Sequence, residues 1–123
     1  MLLLDTSFLV EYEREITADR VGPARRLVQS RGKEPIAISI VSLGEFAEGF
    51  EVPREVEAFL SRFRVLQLSR VIAYKAAAMQ RSLAARLGEN DAWIAATALV
   101  YDAELAGREA AFKRVPRLKY KPI

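Results

Sequence analysis

Met1-Leu-Leu-Leu-Asp5-Thr-Ser-Phe-Leu-Val10 opens the chain with three leucines, then an acid and two hydroxyl residues, then Phe8, Leu9 and Tyr12 at helical spacing. A short uninterrupted apolar run that meets a capping residue and passes into a 3.6-residue period is a buried strand running directly into a helix. The same alternation continues downstream. Arg20 to Arg31 is expected to be a second helix, with Val21, Ala24, Leu27 and Val28 on one side and Gly32 as its C-cap. Ile36 to Val41, β-branched and flanked by Pro35 and Ser42, is the second expected strand. Leu43, Phe46, Ala47 and Phe50 recur at helical spacing until Pro53, and a further helix is expected over Arg54 to Phe63. Val65 to Leu68 supplies a third strand. Ile72, Ala76, Met79, Leu83 and Leu87 mark an amphipathic helix ending at Gly88, and the uncharged, alanine-rich Ala92 to Tyr101 a helix buried on most sides. Glu104 to Gly107 and Leu118 to Tyr120 are the fourth and fifth expected strands. Strands separated by segments long enough to cross over imply a mainly parallel sheet with helices on both faces, in one domain over residues 1–123.

Composition narrows the chemistry. The 123 residues are 51% hydrophobic and 28% charged, with neither cysteine nor histidine. Those two zeros exclude disulfides, thiolate or imidazole metal sites, cysteine nucleophiles, Ser-His-Asp triads and histidine acid–base catalysis. Catalysis is left to carboxylates, hydroxyls, Lys and Arg. The start of the chain lacks the basic and long apolar regions of an export signal. No uncharged run, Pro35 to Gly44 included, exceeds ten residues, against about 20 for a membrane span, so a cytoplasmic location and no membrane association are expected. The net charge of +3 is carried by the tail: Arg108, Lys113, Arg114, Arg117, Lys119 and Lys121 face Glu109 alone over residues 108–121. Such a basic end on a slightly acidic body suits a phosphate footprint and equally a solvated terminal strand flanked by solubilising charges.

Parallel α/β sheets bind ligands at the carboxyl ends of their strands, where four acids are expected. Asp5 follows the first strand, Glu45 lies a helical turn past the second, Asp91 opens the buried helix and Glu109 follows the fourth strand. Each also suits an ordinary structural role. Asp5 fits a helix N-cap, Glu45 closes a capping box opened by Ser42, Asp91 or Asn90 fits another cap, and Glu109 fits a surface acid. Converging together, they would repel one another unless a cation sat between them. Oxygen ligands suit magnesium or manganese, and carboxylate-held ions of this kind serve phosphodiester hydrolysis.

Leu3-Leu4-Asp5-Thr6-Ser7, Ser39-Ile40-Val41-Ser42-Leu43-Gly44-Glu45 and Asn90-Asp91-Ala92-Trp93-Ile94-Ala95-Ala96-Thr97-Ala98 together resemble the PIN-domain ribonucleases, and more narrowly the VapC-type toxins of prokaryotic toxin–antitoxin pairs. The resemblance implies a three-layer α/β/α sandwich and a Mg2+- or Mn2+-dependent endoribonuclease. It implies that Asp5, Glu45 and Asp91 hold the metal, and that Thr6 and Ser7 bond the first acid or the attacking water. It further implies an RNA substrate, a homodimer and a small antitoxin whose C-terminal segment crosses the cleft. The family's further stretch, Leu-Val-Thr-x-Asp-x-Asp-Phe, is here Leu105-Ala106-Gly107-Arg108-Glu109-Ala110-Ala111-Phe112. Glu109 stands for one acid, Ala111 replaces the other and Gly107 replaces the hydroxyl. Arg108 and Lys113, beside that fourth acid, are the chosen RNA phosphate contacts.

Two other enzyme classes also place an acid near the end of a strand in such a sheet. Aspartyl-phosphate phosphotransferases need an acid where Ser7 stands, and receiver domains need one at the end of the third strand, where Gln67-Leu68-Ser69 offers none. The non-enzymatic alternative is a degenerate PIN fold that binds RNA or protein without cutting, motivated by Ala111.

Overall fold

Leu2–Leu4 forms β1, wholly buried, and lies at the centre of five parallel strands in the order β3-β2-β1-β4-β5. The structure is a computed structural model describing residues 1–123. After β1 come α1 (Thr6–Thr17), α2 (Pro23–Ser30), β2 (Ile36–Ser39), α3 (Ile40–Ala47), α4 (Pro53–Leu60) and β3 (Arg64–Leu66). Then follow α5 (Arg70–Ser82), α6 (Glu89–Val100), β4 (Glu104–Gly107), a 3-10 helix at Ala110–Arg114 and β5 (Lys119–Pro122).

Alternation along each strand divides the interior in two. Leu2, Leu4, Ile36, Ile38 and Ala106 pack beneath Phe8, Leu9 and Tyr12 of α1 together with residues of α2, α3 and α4. Leu3, Ala37 and Leu105 point the other way, onto Met79 of α5 and Ala92, Ile94, Ala95 and Ala98 of α6. Each large apolar side chain so buried contributes about 2 kcal/mol, and a sheet fed from both faces explains why β1 is apolar at every position. The result is the expected α/β/α sandwich, parallel throughout. The chain builds β1, β2 and β3 outward to one side, then returns through α5 and α6 to place β4 against the free side of β1. The switch point is therefore the crevice beyond Leu4 and Gly107, where such sheets bind ligands. No helix is long and apolar enough to cross a membrane.

Several boundaries differ from the expected ones, for identifiable reasons. Helix α2 begins at Pro23 rather than Arg20, with Val21 about half exposed. Its end is capped by Arg31 rather than Gly32. β2 stops at Ser39 because the Ser39 hydroxyl accepts the Val41 N–H (3.0 Å) and turns Ile40 and Val41 into helix. Helix α4 ends at Leu60 and β3 begins at Arg64. Helix α5 ends at Ser82 and not at Leu87, because the Gln80 side chain clamps both backbone groups of Leu87 at 2.9 Å and holds 83–88 as a loop. Helix α6 begins at Glu89, and β5 runs on to Pro122.

Candidate active site

Asp5 stands between β1 and α1 and serves two ends at once. Its backbone N–H extends the β1–β4 ladder to Ala106 O (3.0 Å), and its Oδ1 accepts the Phe8 N–H (2.8 Å) as the N-cap of α1. The same oxygen accepts the Ser7 hydroxyl at 2.6 Å, and Oδ2 accepts the Tyr120 hydroxyl at 3.3 Å. The cap expected from sequence is thus real, and it orients a carboxylate that is 1% exposed. Gly107 ends β4 directly opposite: a Cβ there would fall 1.9 Å from Asp5 Oδ2. The absent side chain is the space the carboxylate fills, which is what stands in place of the family's hydroxyl. Burial pushes the Asp5 carboxyl above its usual range, the bonds from Ser7, Phe8 N–H and Tyr120 pull it back, and the charge of Glu109 adds to the rise.

Glu45 lies on α3. The capping box does not form, because Ser39 takes the N-cap and Ser42 becomes an interior helical residue, wholly buried and without a hydrogen-bond partner. Glu45 instead binds across the cleft: Oε1 accepts the Thr6 hydroxyl at 2.5 Å and Oε2 the Asn90 amide at 3.1 Å. Thr6 therefore serves Glu45 rather than Asp5, while Ser7 serves Asp5 as expected. Asp91 is in the first turn of α6, whose N-cap is Gly88, so neither Asn90 nor Asp91 is the cap. Asp91 accepts no hydrogen bond from protein, and its carboxyl is pushed up by burial and then by the charges of Glu109, Glu45 and Asp5. Glu45 and Asp91 border an open cleft of about 480 Å³ with Gly88, Glu89 and Asn90.

Glu109 is N-cap of the 3-10 helix, its Oε1 accepting the Ala111 N–H (3.2 Å). The four acids thus gather within one electrostatic field, and none of them is ion-paired with Lys or Arg. As the side chains lie, no three of these acids are close enough to share one ion. The oxygens of Glu45 are engaged by Thr6 and Asn90, and one of Glu109 by its cap. The donor set nevertheless fits a hard divalent cation: every donor is an oxygen, the like charges lack a counterion, and Asp91 has no internal partner to give up.

The two basic residues assigned to RNA diverge. Arg108 donates its backbone N–H to Ser7 Oγ (2.7 Å), and its guanidinium turns to Glu11 Oε2 at 3.2 Å. Lys113 is exposed on the 3-10 helix. Sequence reasoning missed Tyr120, which sits on β5 and joins the site by accepting the Glu109 N–H (2.7 Å) while donating to Asp5. Only the placement of β5 beside β4 brings it there.

Residues 2–118 match the model of the PIN domain family. The ribonuclease VapC10 of Mycobacterium tuberculosis is 39% identical over 111 residues, 86% of this chain and 80% of that protein. Among solved structures, VapBC2 from Rickettsia felis bound to a promoter DNA fragment superimposes with a TM-score of 0.83, at 22% identity over 99% of this chain and 98% of that one. DNA-bound VapBC from Salmonella typhimurium gives 0.81 at 21% identity, over 98% and 96%. A toxin–antitoxin complex from Klebsiella pneumoniae gives 0.73 at 25%, over 96% and 95%. The chain belongs to the PIN-domain family and, within it, to the VapC type.

Proposed function

We propose that the chain is an endoribonuclease dependent on Mg2+ or Mn2+, acting as the toxin of a toxin–antitoxin pair and restrained by a small antitoxin protein. The observation that carries the reading is that Asp5, Glu45, Asp91 and Glu109, from four separate elements, face one crevice at the sheet's switch point, near enough for the charges of the other three to act on Asp91 and with none of them ion-paired to Lys or Arg. Similarity to a ribonuclease and to toxin–antitoxin complexes supports the substrate class and the partner. A homodimer is expected on the same footing.

Asp5, Glu45 and Asp91 would hold the ion, directly or through water, with Glu109 at the edge of the same field. When bound, such an ion supplies water activation and charge stabilisation at a scissile phosphate. The protein's own part is orientation. Ser7, the Phe8 N–H and Tyr120 hold Asp5 in one rotamer, Gly107 leaves it room, and Thr6 and Asn90 keep Glu45 turned into the cleft. Asp91 and Glu109 leave the opening negatively charged, so an RNA phosphate is repelled from the unloaded site.

The test is cleavage of a panel of single-stranded RNAs in Mg2+ or Mn2+. Cleavage is expected from wild type and is abolished in Asp5→Asn, Glu45→Gln and Asp91→Asn with the circular dichroism of the fold retained. Wild-type turnover in Asp91→Asn would overturn the site. RNA binding without cleavage by wild type would favour the non-catalytic module that Ala111 suggests.

A further inference from the structure

Beside the acid cleft lies a second depression, between α5 and α6, of about 490 Å³. Small residues such as Ala77 and Ala92 line it beside the half-buried Trp93, together with the exposed Arg81 and Arg86. Glu89 borders both this depression and the acid cleft, so the two are neighbours. Trp93 rests on Ile72, Ala76 and Ala96 yet still borders the opening, and it is the chain's single tryptophan.

We propose that this depression is a nucleotide subsite, in which a base of single-stranded RNA flanking the cut stacks on Trp93 while Arg81 and Arg86 take the adjoining phosphates. The inference rests on the reading of the acid cleft as a ribonuclease site. Three features carry it beyond a packing defect. Arg81 and Arg86 are both exposed, both border the depression, and neither is held in an ion pair. Two free guanidiniums against Glu89 make the rim net positive, which suits phosphate and not the apolar face of a protein partner. Second, the loop bearing Arg86 is pinned from both sides, by the Gln80 clamp on Leu87 and by Arg114, whose Nη1 donates to Ala85 O at 2.6 Å. Third, the lining sets an indole among small alanine side chains, and stacking on an aromatic side chain is the ordinary means of gripping unpaired bases.

The single tryptophan makes the test direct. The Asp5→Asn protein is titrated with short fluorescein-free rA, rC, rG and rU homopolymers while Trp93 fluorescence is followed. Anisotropy of labelled copies of the same strands reports total binding. Saturable quenching that tracks anisotropy is expected, with affinity lowered about tenfold in Trp93→Ala and partly restored in Trp93→Phe. Arg81→Ala and Arg86→Ala, on the exposed rim, are expected to weaken binding and reduce its salt slope by about one each. RNA bound at saturation with unchanged Trp93 emission would overturn the subsite, while leaving cleavage by wild type, and so the ribonuclease reading, intact. Failure of wild type both to bind and to cut RNA would overturn both. Emission that follows protein concentration and ignores RNA would mean that a second copy of the chain covers the depression, which also overturns it.

Discussion

Asp5 carries two burdens that usually fall to different residues: it caps α1 and it is the innermost acid of the site. Because one oxygen serves Phe8 N–H and Ser7 while the other faces Tyr120 and the bare Cα of Gly107, its orientation can be tested without touching it. Gly107→Ala places a methyl group where Oδ2 stands, so it is expected to cost about 2 kcal/mol of stability and to abolish RNA cleavage. Tyr120→Phe keeps the ring packed on Phe112, 5.4 Å between centroids, and removes only the hydroxyl. Its turnover is expected to fall about tenfold, the usual effect of losing a group that orients a ligand, with the melting temperature little changed. Wild-type kinetics in Tyr120→Phe would show that Ser7 and the Phe8 N–H suffice to hold the carboxylate.

Among the elements, the join between α1 and α2 shows how a helix can be capped by its neighbour. Gly22 offers α2 no side-chain cap. The buried Glu15 of α1 does so instead, accepting the N–H groups of Gly22 (2.9 Å), Ala24 (3.0 Å) and Arg25 (2.8 Å). A Cβ on Gly22 would meet that carboxylate at 2.6 Å. Burial alone would raise the Glu15 carboxyl, but the bonds from Arg25, Ala24 and Gly22 more than reverse it and leave it below its ordinary value of 4.5. A depressed folded value means that the stabilisation is complete above the unfolded value and is lost as pH falls through the folded one. Glu15→Gln is therefore expected to lower stability by about 2 kcal/mol at neutral pH, and the gap from wild type should close in thermal melts run progressively below pH 4.5. A gap that stayed constant into acid would mean that shape, and not charge, makes the cap.

At the level of the whole molecule, the sheet assembles unlike pieces of chain into one negatively charged mouth. The acids come from the ends of β1 and β4 and from α3 and α6, so an ion between them would tie the two halves of the fold together. Saturating Mn2+, at about 100 times its Kd, is expected to add about 2.7 kcal/mol of stability, read as a rise of roughly 10 °C in melting temperature. Asp91→Asn should lose most of that rise. An equal rise in wild type and variant would place the ion elsewhere. The basic tail is divided by the same assembly: Arg108 and Lys119 are paired with Glu11 and Asp102, and Arg114 is bonded to Ala85 O, so net charge along the sequence overstates the positive charge left unpaired.

The sequence by itself determined the alternation of strands and helices, the parallel sheet and the positions of Asp5, Glu45, Asp91 and Glu109, because these follow from local apolar period and from residues adjacent to strand ends. It misjudged Ser42, whose spacing to Glu45 imitates a capping box. A cap depends on where the backbone actually turns, and Ser39 turns it first. It also could not reveal Tyr120 against Asp5, Glu15 beneath α2, or the Trp93 depression lying next to the acid cleft. Those contacts link residues up to 115 positions apart, and their geometry exists only once long-range strand pairing and helix packing have fixed which side chains face one another.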